Sequence, residues 1–578
     1  MPKQPPAWCA LLTGIPDADM RVRFPPSSRL SSCLPVAAAA PGALRQGVWA
    51  AEASRSRLLL DKVAQEELRP VLAPPGLQAE YANLREQLER TRLRLQREEH
   101  GGETGLTGSD TGRRGLNFGG PALSAAAVPA PRPRGSARKE LLKLLRRQEK
   151  EMEAILKRIK PHDLEFDPRK AGLVVECEAI EALIRSKPRT AFVQYALGRE
   201  KSVVFVLLGQ GTGEIRPVRL PRLRVEEMER LSAAWFQAYS RWRDKSVSPE
   251  GQVREWETHV RPVLEQVGAA ALEPVLAALP EGLERLVISP HQSLHIFPLH
   301  ACPVGGGRLL GDQFEVIYTP SFTMLHRCAQ RHPDAGGEPL LVECPEGVPE
   351  RYLPFARAEC AALGRRLGGW RRISGDEATA EAVAAMGRDC GLLHYSGHAR
   401  FNPKKPLKSK LVLTGEPLTL GQVFGGMRLP RNRLVVLSGC ESGLLVPDVL
   451  DDYVSFTTGF LYAGAPCVVS TLWAIPDLPS ALLMDRFYEL WLAGLAPAAA
   501  LRAAQGWLQA LRAGPDLNGV MEAFTQNLED RTDARHCREA AAKYVAGLGE
   551  RPFASPIHWA AFTCSGVGYG QPCAQQAE

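Results

Sequence analysis

Two apolar runs that each break on a glycine constrain this chain more than anything else in it. Leu392-Leu-His-Tyr-Ser-Gly-His398 ends its run at Gly397. Leu434-Val-Val-Leu-Ser-Gly-Cys440-Glu-Ser-Gly443 repeats the pattern 42 residues later. Short runs of this kind read as strands covered on both faces. Leu286-Val-Ile-Ser289, Leu340–Cys344 and Pro466–Leu472 are further examples, separated by helical stretches at Ala356–Leu367 and Tyr453–Ala463. Strands alternating with helices predict an α/β fold, with a sheet flanked by helices. Such sheets present ligands at the carboxyl ends of their strands. His398 and Cys440 each follow a strand directly, so neighbouring strands would bring an imidazole and a thiol to one crevice.

That pair has a definite chemistry. An ordinary thiol has a pKa of about 8.5 and is mostly protonated at neutral pH. A neighbouring imidazole can take the proton, stabilise the thiolate as the imidazolium, and return the proton to a leaving amine. The glycines let a substrate backbone come close. A lone cysteine carries no such implication, because buried cysteines are mostly packing. A serine nucleophile is disfavoured: in G-x-S-x-G the centre is serine, whereas Gly439–Gly443 has Glu441 there.

The rest of the 578 residues divide by texture. Residues 1–99 read as a helical, poorly ordered region, rich in Pro, Ala and Ser up to residue 45 and helical at Trp49–Leu68 and Leu77–Glu99, the second with Leu84, Leu88, Leu93 and Leu95 as sparse apolar positions. Residues 100–137 are a Gly/Pro/Ser-rich linker, and 138–168 hold a charged helix. Past Pro161, Thr190–Leu208 reads as two strands about a turn at Gly198–Lys201, with helices following at Val225–Asp244 and Gln252–Ala278. The 71 basic and 64 acidic side chains leave a net charge of +7, without a compact basic run interleaved with aromatics, so no nucleic-acid partner is expected. Thirteen irregularly spaced cysteines without a C-x-x-C pair argue against a zinc ribbon or a secreted disulfide framework and favour reduced thiols in the cytoplasm. The N-terminus lacks the apolar core of a signal peptide, and no apolar run has the length of a membrane span.

Several blocks in order resemble a known family. VISPHQSLHIFPLHA (287–301), LLHYSGHARF (392–401), VVLSGCESG (435–443), GFLYAGAPCVVSTLWAIPD (459–477) and SPIHWAAFTCSG (555–566) are similar to the CHAT family, clan-CD caspase-like cysteine peptidases often attached to tetratricopeptide repeats. The similarity covers about Lys170–Tyr569. It implies a caspase-hemoglobinase-like sheet, a pseudo-prodomain half over about 169–335, a catalytic half over about 336–570, and no cofactor. It makes Cys440 the nucleophile, His398 its general base, and the backbone N–H groups of Ala399 and Cys440 the oxyanion donors. Ala399 stands where many members carry Gly, and His394 falls at a strand position as a structural histidine. The stretch WAAEASRSRLLLDKV resembles the helix before CHAT domains in repeat-bearing members. No set of 34-residue repeats precedes it, so the chain resembles a member with a shortened or missing array.

Other readings stay open at particular residues. Glu441, Asp448, Asp451 and Asp452 fit an acidic pocket for Arg or Lys at P1, or an exposed loop in which Asp451 or Asp452 starts the next helix. Trp473, Trp559 and Phe562 fit core or pocket wall, and Trp473, which follows a strand end, is assigned to the pocket. Lys404, Lys405, Lys408 and Lys410 crowd the loop after His398 and fit attraction of acidic substrates or simple solvation. His291 and His295 are four apart, as zinc ligands on a helix would be, and His300 follows; but they come after a strand and span a turn, which disfavours a metal site. The expected activity is limited endoproteolysis of a protein substrate, of the sort used in bacterial defence or cell-death pathways. The alternatives are a non-proteolytic scaffold, or a latent protease ordered by a protein activator bound through the N-terminal helices.

Overall fold

The structure is a computed structural model of the full chain. It describes residues 41–54, 73–100, 134–162 and 177–569, apart from 199–200, 210–213, 243–246, 332–336, 344–352, 403–405, 440–453, 527 and 529. The expected linker, but for residue 100 and residues 134–137, and the first 40 residues lie outside these. The chain forms two compact units, one joining helix α1 (Pro41–Ser54) to the residues from Cys177 onward, the other holding helices α2 (Pro75–His100) and α3 (Arg134–Ile159). No described helix is long and apolar enough to cross a membrane.

This division corrects the expectation that residues 1–99 form one region. Val48, Trp49 and Ala51 of α1 are buried in the core of the larger unit. Glu52 is buried with them, accepting hydrogen bonds from Gln194 Nε2 at 2.8 Å and from the Thr323 N–H at 2.7 Å. Arg45 adds a bidentate pair with Glu181 at 2.7 and 3.1 Å. The helix expected from Leu77 to Glu99 belongs instead with α3. Leu77, Tyr81, Leu84 and Leu88 make the buried stripe of α2, and Ile159 is buried against it. The Arg158–Glu80 pair between them is half exposed and worth about 0–1 kcal/mol, so the apolar stripe holds the pair together.

Among the described residues, the larger unit is built on one mixed eleven-stranded sheet, flanked by helices as expected. Its strands are β1 (Thr190–Ala196), β2 (Val203–Leu208), β3 (Ile215–Arg219), β4 (Arg285–Ser289), β5 (Glu315–Tyr318), β6 (Glu338–Glu343), β7 (Arg371–Ile373), β8 (Cys390–Gly397), β9 (Leu434–Gly439), β10 (Cys467–Thr471) and β11 (Phe562–Gly566). Their order across the sheet is β3-β2-β1-β4-β5-β11-β10-β9-β8-β6-β7. The two expected halves therefore share one sheet, with β11 parallel to β5 and antiparallel to β10. In the second half β6, β7, β8, β9 and β10 are parallel. The chain goes from β6 outward to β7, then returns to lay β8 on the other side of β6 and continues to β9 and β10. That reversal between β6 and β8 is a topological switch point, where a crevice opens at the strands' carboxyl ends.

Helix α4 (Val225–Trp242) brings Trp235 and Trp242 to an aromatic cluster with Trp256, Trp473 and Phe297, with rings edge-on at 5.5–6.0 Å around Trp235. Such pairs add about 0.5–1.5 kcal/mol each beyond the area they bury. The helix expected at Gln252–Ala278 runs over 249–276 with π-helical segments at Trp256–Val260 and Gly268–Leu272. Each segment stops two residues before a proline, Pro262 or Pro274. A proline ring would collide with the carbonyl of the preceding turn, and the widened turn relieves that collision.

Helices α5 (Pro354–Leu367), α6 (Phe456–Ala463) and α7 (Asp477–Leu492) frame the second half of the sheet. α5 and α7 pack on one face of the sheet and α6 on the other. α5 is bound to α7 at both of its ends: Asp477 Oδ2 accepts from the Phe355 N–H at 3.0 Å, and Arg366 chelates Asp485 at 2.7 and 2.9 Å.

Burial pushes the Asp477 carboxyl up to about 7, the Phe355 N–H pulls it down, and Glu359 pushes it up. From its ordinary value of 3.8 to about 7, the folded chain thus holds a proton that the unfolded chain has released. Asp477 therefore lowers stability as pH rises through that window. The buried imidazoles of His300 and His558, pushed down to about 4 and about 3, act oppositely as pH falls below 6.5. A comparison with Asp477→Asn, which keeps an acceptor for the Phe355 N–H, isolates the carboxyl. In urea denaturation the variant should gain on the wild type by on the order of 2 kcal/mol between pH 5 and pH 8. A difference that does not change with pH would contradict this assignment.

Candidate active site

The site begins in the register of β8 and β9. Along β8, Leu393 and Tyr395 face α6, while Leu392, His394 and Ser396 face α5 and α7. Along β9, Val435 and Leu437 face α6, and Leu434, Val436 and Ser438 face α5 and α7. Both faces are buried, which is why the sequence runs are apolar without alternation. Ser396 pairs with Ser438, and Gly397 with Gly439. The two parallel strands, about 4.8 Å apart, thus end at one level, and His398 leaves the sheet from the first of them.

His398 is half-buried and its backbone is held tightly. Its carbonyl accepts from the Val412 N–H at 2.8 Å and from the Tyr395 hydroxyl at 2.7 Å, the latter lying 2.9 Å from the Val412 carbonyl as well. Ala399 and Leu411 are antiparallel partners on the short strands Ala399–Arg400 and Lys410–Leu411. With the Val412 N–H bound to the His398 carbonyl, Ala399 and Leu411 form a pair whose own N–H groups point out of the ladder. The amide of Ala399 is directed away from its partner strand. Tyr395 also explains a glycine: a Cβ at Gly439 would lie 3.1 Å from its ring and 3.0 Å from the Gly397 carbonyl oxygen. The Gly439 carbonyl accepts from the Thr471 hydroxyl of β10 at 2.6 Å.

A polar layer lies beneath these strand ends. Glu359 of α5, 1% exposed, accepts through Oε2 from Ser396 at 2.9 Å and from Ser438 at 3.2 Å. Ser438 also contacts Ser480 of α7 at 3.2 Å. His394 is fully buried, with Nδ1 hydrogen-bonded to the Tyr488 hydroxyl at 3.1 Å. Its Nε2 lies 3.2 Å from Glu359 Oε1, a close contact without hydrogen-bond geometry. Burial, reinforced by Glu359, pushes the Tyr488 phenol far above its ordinary range, so it stays protonated. His394 sits within the helix-facing layer, in keeping with its reading as a structural histidine.

The other expected site residues fall out as follows. Cys440, Glu441, Asp448, Asp451 and Asp452 lie outside the described residues, as do Lys404 and Lys405. The helix after the cysteine begins at Phe456, capped by the Ser455 hydroxyl on the Thr458 N–H, which replaces the expected start at Tyr453 behind an Asp cap. Trp473 is corrected from pocket wall to core: it is fully buried in the tryptophan cluster, its indole N–H donating to the Ile557 carbonyl at 3.3 Å. His291 accepts from the Leu197 N–H at 3.1 Å and His300 bonds the Tyr318 hydroxyl at 2.9 Å, so both pack the first half of the sheet. Sequence reasoning missed Glu359 and the serines. The signal was present as a polar residue two places before each site residue in otherwise apolar runs.

Gly439→Ala forces the new methyl against Tyr395. The expected loss is about 1–3 kcal/mol, read as a lower urea midpoint. An unchanged midpoint would contradict the packing described for this strand end.

Comparison with known proteins places this architecture. Tetratricopeptide repeat protein 28 of Homo sapiens is 33% identical over 223 residues, which is 31% of this chain and 8% of that protein. The chain thus spans less than a tenth of that relative. Among solved structures, the Saccharomyces cerevisiae separase–securin complex is similar over 57% of this chain and 29% of its own, with 12% identity and a TM-score of 0.41. The Arg-specific cysteine proteinase gingipain R is similar over 55% of this chain and 76% of its own, with 10% identity and a TM-score of 0.31. The family described as CHAT domain matches residues 261–567, more than half of the chain, taking in β4 to β11 and the ends of β8 and β9. The chain belongs to the CHAT domain family.

Proposed function

We propose that the chain is a cysteine endopeptidase that cleaves protein substrates at limited sites through Cys440 and His398. The observation that carries this reading is the pairing of Gly397 with Gly439, which ends the strands before His398 and Cys440 at one level, next to the switch point between β6 and β8. His398 takes the thiol proton, and the thiolate attacks the carbonyl carbon of the scissile peptide. The resulting oxyanion is bound by the N–H groups of Ala399 and Cys440, an interaction of about 3–4 kcal/mol in sites of this type. The tetrahedral species collapses to a thioester as the amine leaves with the proton from His398. Water, deprotonated by the same imidazole, then releases the acid and restores the thiol. Glu441, Asp451 and Asp452 provide acidic character near the nucleophile in sequence, which suits Arg or Lys at P1.

Substrate and activator are proteins in this reading, and the compartment is the cytoplasm. Recruitment falls to α2 and α3, because the apolar residues of α1 are committed to the core of the larger unit.

Two outcomes test the proposal. An arginyl chloromethyl ketone peptide should label the wild type at Cys440 and label neither Cys440→Ala nor, at a comparable rate, His398→Ala. Labelling that persists at another residue in Cys440→Ala would overturn the nucleophile. Tyr395→Phe, which frees the His398 carbonyl from its hydroxyl anchor, should lower kcat about tenfold while KM stays within about threefold. An equal change in both constants would mean that Tyr395 acts on binding instead.

A further inference from the structure

The geometry points to Glu359 as a positioning residue for the Cys440–His398 pair, an inference that rests on the activity proposed above. One carboxyl oxygen accepts hydroxyls from both strands that lead to the dyad. The two donors, Ser396 and Ser438, are register partners, and each stands two residues before the site residue of its strand. The described pairing of these strands ends at Gly397 and Gly439, so the level at which the next residues emerge depends on what fixes the last pairs. Glu359 ties the two members of the Ser396–Ser438 pair to each other through a single atom. Ser480 and Tyr488 brace the layer from α7, through Ser438 and His394 respectively.

Packing alone does not call for an acid at this place. Ala358, Ala362 and Leu363 of the same helix are buried against the sheet as apolar groups. An apolar side chain of similar volume commonly fills such a position as stably as a buried carboxyl. What the carboxyl adds is a directional link between two strands.

The test uses the full chain and iodoacetamide, a probe small enough to need no specificity pocket. Alkylation of Cys440 is followed by mass spectrometry of its peptide at one fixed pH, with rates taken on the folded fraction from a parallel melting curve. His398→Ala should slow the wild-type reaction by at least about tenfold. Ser396→Ala and Ser438→Ala should each slow it about tenfold. The double variant should be no slower than the worse single by more than about twofold, because losing either arm already unties the strands. Glu359→Gln, which keeps an acceptor for both hydroxyls, should stay within about threefold of wild type, and Glu359→Leu should match the serine variants. Serine effects that multiply would mean independent hydrogen bonds and overturn the link, as would serine variants that react like wild type while His398→Ala does not. A wild-type rate that His398→Ala leaves untouched would remove the dyad itself, and the role of Glu359 with it.

Discussion

The arrangement of this site depends on one backbone constraint, the parallel pairing of Leu434–Gly439 with Leu392–Gly397. Parallel strands cannot be joined by a tight turn, so their register is set by the crossing chain and by the side chains on each face. A slip of one residue would send His394, Ser396 and Ser438 into the apolar cluster around Phe456 and Phe460, and would bring Tyr395 against α5 and α7. The register that buries each group with its partner is also the one that places Gly397 beside Gly439. Packing and site geometry are therefore specified together.

The two faces of these strands contribute differently. On the α6 side, Tyr395 lies over Gly439 and its hydroxyl reaches the His398 carbonyl, so an aromatic ring both fills the core and holds the backbone of His398. On the α5–α7 side, the contacts are polar and meet at Glu359. Buried polar groups are tolerated where each finds a partner, and such networks hold a single arrangement more strictly than apolar packing does. The strand ends are gripped from above by shape and from below by hydrogen bonds.

Much of this was legible in the sequence because it follows from local pattern. The apolar runs ending in Gly397 and Gly439 marked the strands and the site positions, and the ordered blocks marked the family. The tryptophan at position 473 was misplaced because a strand-end position says nothing about which side the chain turns to afterwards; contacts with Trp235 and Trp256, more than 200 residues earlier, decide it. The placement of α1 was missed for the same reason, since Glu52 finds its partners at Gln194 and Thr323. The helix start at Ser455 was hidden by three nearby aspartates that are equally good caps by type. Glu359 was overlooked because an acid in a helix is read as solvent-facing unless the opposing serines are already in view.

The central claim is that Cys440 and His398 work as one ionisable pair. Its most direct measurement is the ultraviolet absorbance of the Cys440 thiolate against pH, taken as the difference between the wild type and Cys440→Ala and repeated in the His398→Ala background. The expected result is a thiolate that forms well below the ordinary value of about 8.5 and returns to it when His398 is removed. A Cys440 that titrates as an ordinary thiol in both backgrounds would contradict the account.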